Sequence, residues 1–141
     1  MSRASLRALL GLSLLLLAST GCSRFREIGQ CRALAREVNP LLEQIEALSK
    51  KPGAEPQAQM AKHYAELAKR LKPRGGGKGA LATAIREYAT VFEATSTALR
   101  NLSETTRTGT SGRVNEPRRE LERLVKRERA VVARIEAECH G

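Results

Sequence analysis

Apolar residues recur at steps of three and four along most of this chain, the spacing that places side chains on one face of a helix. Four stretches follow the pattern and predict helices over about residues 24–49, 56–72, 80–107 and 115–139. The third has the most regular seam, which runs through Leu81, Ile85, Tyr88, Phe92, Thr95, Leu99 and Leu102. A seam of this kind is stable only when it packs against partner helices.

The first predicted helix contains a proline. Its apolar stripe consists of Ile28, Cys31, Leu34, Val38, Leu41, Ile45 and Leu48. Because the stripe keeps its phase across Pro40, we expect one helix that is kinked there. Asn39 could instead cap a second helix that begins at Pro40.

Four amphipathic helices joined by short connections favour an all-α fold, an antiparallel up-down four-helix bundle. Aromatic residues make up only 3% of the chain, which argues against a β-sandwich or barrel. A length of 141 residues is too short for a large mixed α/β enzyme. Many of the apolar residues are alanines, which let helices approach closely but bury little area, so we expect a modest core.

The first 21 residues have the order of parts found in a secretory signal peptide. Arg3 and Arg7 precede a leucine-rich run from Ala8 to Ala18, and small residues follow it. The apolar run is shorter than the roughly 20 residues that a transmembrane helix needs. We therefore expect residues 1–21 to be removed, and residues 22–141 to form a single helical domain.

Small residues directly before Cys22 resemble the lipobox of bacterial lipoproteins. Gly21 and Thr20 fit that pattern, whereas Ser19 stands where the family usually has Leu. The resemblance implies that Cys22 is lipidated with acyl chains such as palmitate, and that Ser23 permits transfer to the outer membrane, facing the periplasm. Ser19 leaves open ordinary signal-peptidase cleavage after Gly21, which would release a soluble periplasmic protein.

The two remaining cysteines are Cys31 and Cys139. An exported chain matures in an oxidising compartment, where a disulfide is the expected state of such a pair. In an up-down four-helix bundle, the start of the first helix and the end of the fourth lie at the same end. This topology brings the two cysteines together and predicts a disulfide between them. Cys139-His140 has no second ligand pair, so we expect no metal and no cofactor.

The positive charge is concentrated around the second helix. The whole chain has a formal net charge of +10, and residues 50–78 carry eight Lys and Arg against two Glu. The turn between helices two and three should return to the end where helix one begins. We therefore predict a basic surface there that rests on anionic head groups, although a merely solvated face is an equal alternative. Its residues are Arg24, Arg26, Lys69, Arg70, Lys72, Arg74 and Lys78.

No constellation of catalytic residues is recognisable. The chain has no Asp, its two His are isolated, and its Glu residues follow ordinary helix-surface spacing, as in the charge-rich run from Arg118 to Arg129. Export also argues against nucleic-acid binding. The sequence favours a lipid-anchored, non-enzymatic helical module of the cell envelope that holds a protein, anionic lipid or cell-wall polymer. The alternative is a soluble periplasmic bundle with a binding or chaperone-like role.

Overall fold

The computed structural model describes residues 25–140, so the predicted signal peptide, Cys22 and Arg24 lie outside the described residues. Within that range the chain is all-α and forms a four-helix bundle, as predicted. The helices are α1 (Phe25–Ser49), α2 (Ala54–Leu71), α3 (Ala80–Thr108) and α4 (Asn115–His140). Short 3-10 turns follow α2 at Lys72–Gly75 and precede α4 at Ser111–Arg113.

Two hydrogen bonds between α2 and α3 show that these helices are antiparallel. Ser96 Oγ donates to the carbonyl oxygen of Ala61 over 2.7 Å, and Ser103 Oγ donates to that of Ala54 over 2.8 Å. A residue further along α3 thus meets a residue earlier in α2. Both hydroxyls are buried, and each finds its partner on the neighbouring backbone, which avoids the cost of a buried unpaired donor.

The first helix is continuous through its proline. Pro40 lies inside α1 and is exposed to solvent. Proline cannot donate the hydrogen bond that the carbonyl four residues earlier would accept, and an exposed position lets water take that role. The stripe from Cys31 through Leu34, Val38 and Leu41 to Ile45 is therefore buried on a single helix.

The longest helix, α3, occupies the centre of the packing. Every residue of its predicted seam is buried, and small residues on both sides of the seam are buried as well: Ala84, Ala89, Ser96, Ala98 and Ser103. Ala61 and Ala68 of α2 are also buried. Ser96 and Ser103 reach the backbone of α2, and α2 and α3 share the most extensive seam in the bundle, while the seam between α1 and α4 is the most open.

Candidate functional site

A disulfide joins the first helix to the last at one end of the bundle. Cys31 and Cys139 are bonded, and their Cα atoms lie 6.1 Å apart. The predicted pairing is therefore present in the structure. Cys31 is six residues from the start of α1, and α1 begins three residues after Cys22. We call this the proximal end, because it is the end from which the chain leads back to Cys22.

The turn between α2 and α3 also lies at the proximal end, because Gly79 and Ala80 line one groove with Gln30 of α1 and another with Glu138 of α4, both next to the disulfide. Arg74 makes a two-pronged ion pair with Glu37 of α1, with Nε and one terminal nitrogen 2.6 and 2.7 Å from the carboxylate oxygens. Hydrogen bonding from Arg74 lowers the pKa of Glu37, and the two charges attract each other as well. The pair ties the turn to the first helix.

Arg86 of α3 holds the glycine-rich part of this turn. Its guanidinium donates hydrogen bonds to the carbonyl oxygens of Gly75 and Gly77 and to Thr83 Oγ1. Gly75 is buried directly against Arg86. A Cβ atom at position 75 would lie 3.0 Å from the Arg86 backbone nitrogen and 3.1 Å from its Cα, closer than side chains normally pack. Glycine at 75 is therefore needed for this close approach.

The predicted basic residues differ in how they are paired. Three of them have a Glu partner: Arg70 with Glu66, Lys72 with Glu93, and Arg74 with Glu37. Lys69 and Lys78 are exposed and have no carboxylate partner among the residues that the structure describes. Arg26 is the second residue of α1. The unbalanced positive charge of this turn is therefore concentrated at Lys69 and Lys78.

A cavity of about 490 Å³ lies between the helices toward the opposite, distal end. We call it the distal cavity. All four helices and the α1–α2 loop contribute to its wall, which is mainly apolar. The apolar side chains include Ile45, Met60, Leu99, Leu102, Leu121 and Val125. Its size is within the range of cavities that hold small organic ligands.

The most unusual residue of the distal cavity is Glu128 of α4. Its side chain is buried, with 2% of the residue exposed, and its Oε1 atom has no hydrogen-bond partner among the described residues. Burial raises the pKa of this carboxyl to about 7, while the charge of Arg129 lowers it in part. An unpaired buried carboxyl is costly, and groups of this kind are more common at functional sites than in ordinary cores.

A cluster of three aromatic rings includes two tyrosines, Tyr64 and Tyr88, that lie within the electrostatic influence of Glu128. Phe92 of α3 packs between Tyr64 and Tyr88, with ring centroids 5.5 and 4.1 Å away. Burial raises the pKa of both tyrosines far above the ordinary value, and the charge of Glu128 raises it further. Both phenols are therefore neutral over the physiological range. Tyr64 also lines the distal cavity, as does Gln57, whose Oε1 atom likewise has no partner among residues 25–140.

Sequence reasoning misses Glu128, because it stands in a run of charged residues that is typical of a solvated helix face. A signal was nevertheless present. The buried positions of α4 are Leu121, Leu124, Glu128, Val131 and Ile135, which alternate in steps of three and four. Glu128 therefore fills a seam position, and a charged residue at that register was the indication that it points into the bundle.

The described part of the chain contains no group of three or more His, Cys, Asp or Glu side chains arranged to hold a metal ion. Within residues 25–140, no helix is both long enough and apolar enough to cross a membrane. No protein-family model matches the sequence, and no curated protein or solved structure shows significant similarity to it.

Proposed function

We propose that this protein is a lipid-anchored, non-enzymatic helical module of the bacterial cell envelope, attached through Cys22, that holds or recognises a partner. The observation that carries the proposal is the arrangement of the proximal end. The start of α1, the disulfide and the basic turn all lie there, directly after the lipobox-like cysteine. An anchor at Cys22 would thus connect to the most strongly cross-linked part of the bundle.

Lipidation would supply the attachment. Each buried methylene of an acyl chain contributes about 0.8 kcal/mol, so that several chains hold a protein at a bilayer permanently, whereas one chain holds weakly. Near an anionic surface, each unpaired Lys or Arg adds about 1 kcal/mol. Lys69 and Lys78 fit this second role best, because Arg70, Lys72 and Arg74 already face a Glu. The basic turn would orient the bundle rather than anchor it.

The dimensions of the bundle support a module that presents its distal end to a partner. Helix α1 has 25 residues. At a rise of 1.5 Å per residue, it spans roughly 35–40 Å. A bundle standing on its proximal end would therefore hold the distal cavity and the α1–α2 loop well away from the head groups, facing the periplasm. In that orientation, a protein or cell-wall polymer would meet the distal end first.

A second candidate is a soluble periplasmic binding protein, released by ordinary cleavage after Gly21. The observation that favours it is the distal cavity, since a binding protein needs a site that takes up a ligand and gains nothing from a basic membrane-facing turn. Both candidates keep the same disulfide-linked bundle, and they differ in whether Cys22 carries lipid.

Metabolic labelling with a clickable palmitate, followed by membrane fractionation, separates the two candidates. We expect the label to follow the membrane fraction in the wild type and to disappear in Cys22→Ala. The matched control is the double variant Cys31→Ser/Cys139→Ser, which also removes thiols but leaves Cys22, and which should keep the label. Absence of label from a soluble wild-type chain would reject the anchored module and favour the periplasmic binding protein.

A further inference from the structure

The distal cavity combines two properties that seldom occur together in a core. Its wall is mostly aliphatic, with leucines contributed by α3 and α4. It also contains two buried side-chain oxygens, on Gln57 and Glu128, that have no hydrogen-bond partner within the described part of the chain. A core that served packing alone would be more stable with apolar side chains at both positions. The two polar groups therefore indicate a ligand that satisfies them.

The chemistry of these two atoms specifies what the ligand must offer. Glu128 Oε1 and Gln57 Oε1 are both hydrogen-bond acceptors, one on α4 and one on α2. A complementary ligand must donate hydrogen bonds to them, and an ammonium group has three donors and a positive charge. A buried carboxylate is also greatly stabilised by an opposite charge placed next to it. The ring of Tyr64, which lines the same cavity, adds a surface that favours cations.

The rim of the cavity differs from its interior. Lys51, Lys126 and Arg129 line it as exposed cations, and Glu122 lines it as an exposed anion. Charges in contact with water are strongly screened, whereas the oxygens inside act in a medium of low dielectric constant. A ligand with its carboxylate at the rim and its hydrocarbon tail inside would leave Glu128 and Gln57 unpaired. The interior groups therefore decide the class of ligand.

We propose that the distal cavity binds a small, largely apolar amine, whose ammonium group donates hydrogen bonds to Glu128 and Gln57 while its hydrocarbon part packs among the leucines. A cavity of about 490 Å³ accommodates a molecule of this class. The proposal does not depend on whether Cys22 is lipidated, and it applies equally to an anchored and a released bundle.

The groups around Glu128 determine how binding depends on pH. Its carboxyl has a pKa of about 7, with burial as the main cause and Arg129 of the same helix acting against it. Tyr64 of α2 and Tyr88 of α3 stay neutral. From α1, the cavity receives Ile45 and Ser49, which do not titrate. Because an alkylamine stays protonated to about pH 10, binding should strengthen as the pH rises through 7 and Glu128 ionises.

The test compares three ligands with the same octyl chain and different head groups: octylamine, octanol and octanoate. Each is titrated calorimetrically into the full-length, disulfide-bonded protein at pH 8. We expect octylamine to bind at least about tenfold more tightly than octanol, and octanoate to bind most weakly. At pH 5.5, octylamine should lose most of its advantage over octanol, because Glu128 is then protonated.

Two variants on α4 locate the binding group. Glu128→Gln keeps the shape of the side chain but removes its charge. The variant should bind octylamine about tenfold or more weakly than the wild type, and its affinity for octanol should stay within about threefold of the wild-type affinity. Glu116→Gln is the same chemical change at an exposed position of α4 that does not line the cavity, and it should leave all three affinities within about twofold. Circular dichroism confirms that each variant is folded.

Any of four results would overturn the proposal. Octanoate binding most tightly would assign the site to an anion held by the rim cations. Equal affinities for the three ligands would show only non-specific uptake of hydrocarbon. An octylamine affinity unchanged by Glu128→Gln would show that Glu128 does not hold the head group. Failure of the wild-type protein to bind octylamine at millimolar concentration would show that the cavity does not bind this class of molecule.

Discussion

Cys31 and Cys139 are separated by 108 positions in the sequence, and the structure bonds them across the most open seam of the bundle, between α1 and α4. Every other pair of adjacent helices is connected by a short turn as well as by packing. The first and last helices have no such turn, so the disulfide acts as their covalent connection and keeps the proximal end closed.

Removing this disulfide should lower stability considerably. In the chain-entropy model, a cross-link that closes a loop of about 100 residues contributes about 4.7 kcal/mol. We expect Cys31→Ser/Cys139→Ser to lose roughly 3–5 kcal/mol in unfolding free energy, measured by urea denaturation. The wild type in excess reductant should match the double variant. Equal stability of the oxidised and reduced wild type would show that helix packing alone holds α1 against α4.

The glycine-rich turn provides a test of backbone packing. Gly75→Ala should lower the free energy of unfolding by about 1–3 kcal/mol, because the new Cβ would clash with the backbone of Arg86. Gly77→Ala is the matched control, since a Cβ there would make only an ordinary contact with Ala82, at 3.7 Å. Thermal unfolding of both variants measures the difference. Equal losses would mean that the turn can shift away from α3 without penalty.

The buried carboxyl of Glu128 should make stability depend on pH in a specific direction. Burial raises its pKa from 4.5 to about 7, so the folded state holds this proton more tightly than the unfolded chain. The resulting stabilisation is complete below pH 4.5 and is lost as the pH rises through 7, by an amount on the order of 3 kcal/mol.

Glu128→Gln removes this titration. Relative to wild type, the variant should gain roughly 2–3 kcal/mol at pH 8 and little at pH 4.5, measured by urea unfolding at both values. Glu122→Gln on the exposed rim should leave the pH dependence as it is. The stability of the wild type, measured relative to Glu128→Gln, should fall between pH 5 and pH 8. If it does not fall, Glu128 is hydrated or paired in solution.

The basic turn should bind anionic membranes through its unpaired lysines. For the chain beginning at Ser23, we expect Lys69→Glu/Lys78→Glu to weaken co-sedimentation with phosphatidylglycerol vesicles at low salt, by about tenfold or more. The control is Lys51→Glu/Lys126→Glu, an identical change in net charge at the distal end, which should have a much smaller effect. Equal effects would attribute binding to the overall charge of the chain rather than to this surface.

Much of the fold was predictable because the seam positions are regular. Helices α3 and α4 begin where the apolar pattern predicts, at Ala80 and Asn115. In an up-down bundle the start of the first helix and the end of the fourth lie at the same end, which brings the two cysteines together. The second helix begins at Ala54, two residues before the predicted Pro56, because Gly53 starts it with a positive φ of 106°. Glycine adopts such a conformation readily, and the periodicity of apolar residues does not report it.

The polar features of the interior were not predictable from the pattern. Ser96 and Ser103 are buried because their hydroxyls reach carbonyls of α2, which depends on how closely two helices approach. The pairing of Arg74 with Glu37, 37 positions away, depends on where the turn folds back onto α1. Glu128 stands among charged neighbours, although its position in the three-and-four repeat of α4 is that of a core residue. The pattern of apolar residues predicts which helix face is buried. It does not predict which polar residues are buried on the same face.

The intact mass of the mature protein, purified from cell envelopes, tests the central proposal most directly. A lipid-anchored module predicts a chain that begins at Cys22 and carries the added mass of a diacylglyceryl group and an amide-linked acyl chain, all on its N-terminal residue. A chain of residues 22–141 with no added mass would contradict the anchor, and with it the membrane-facing role of the basic turn. The released, cavity-bearing bundle would then be the form in which the protein acts.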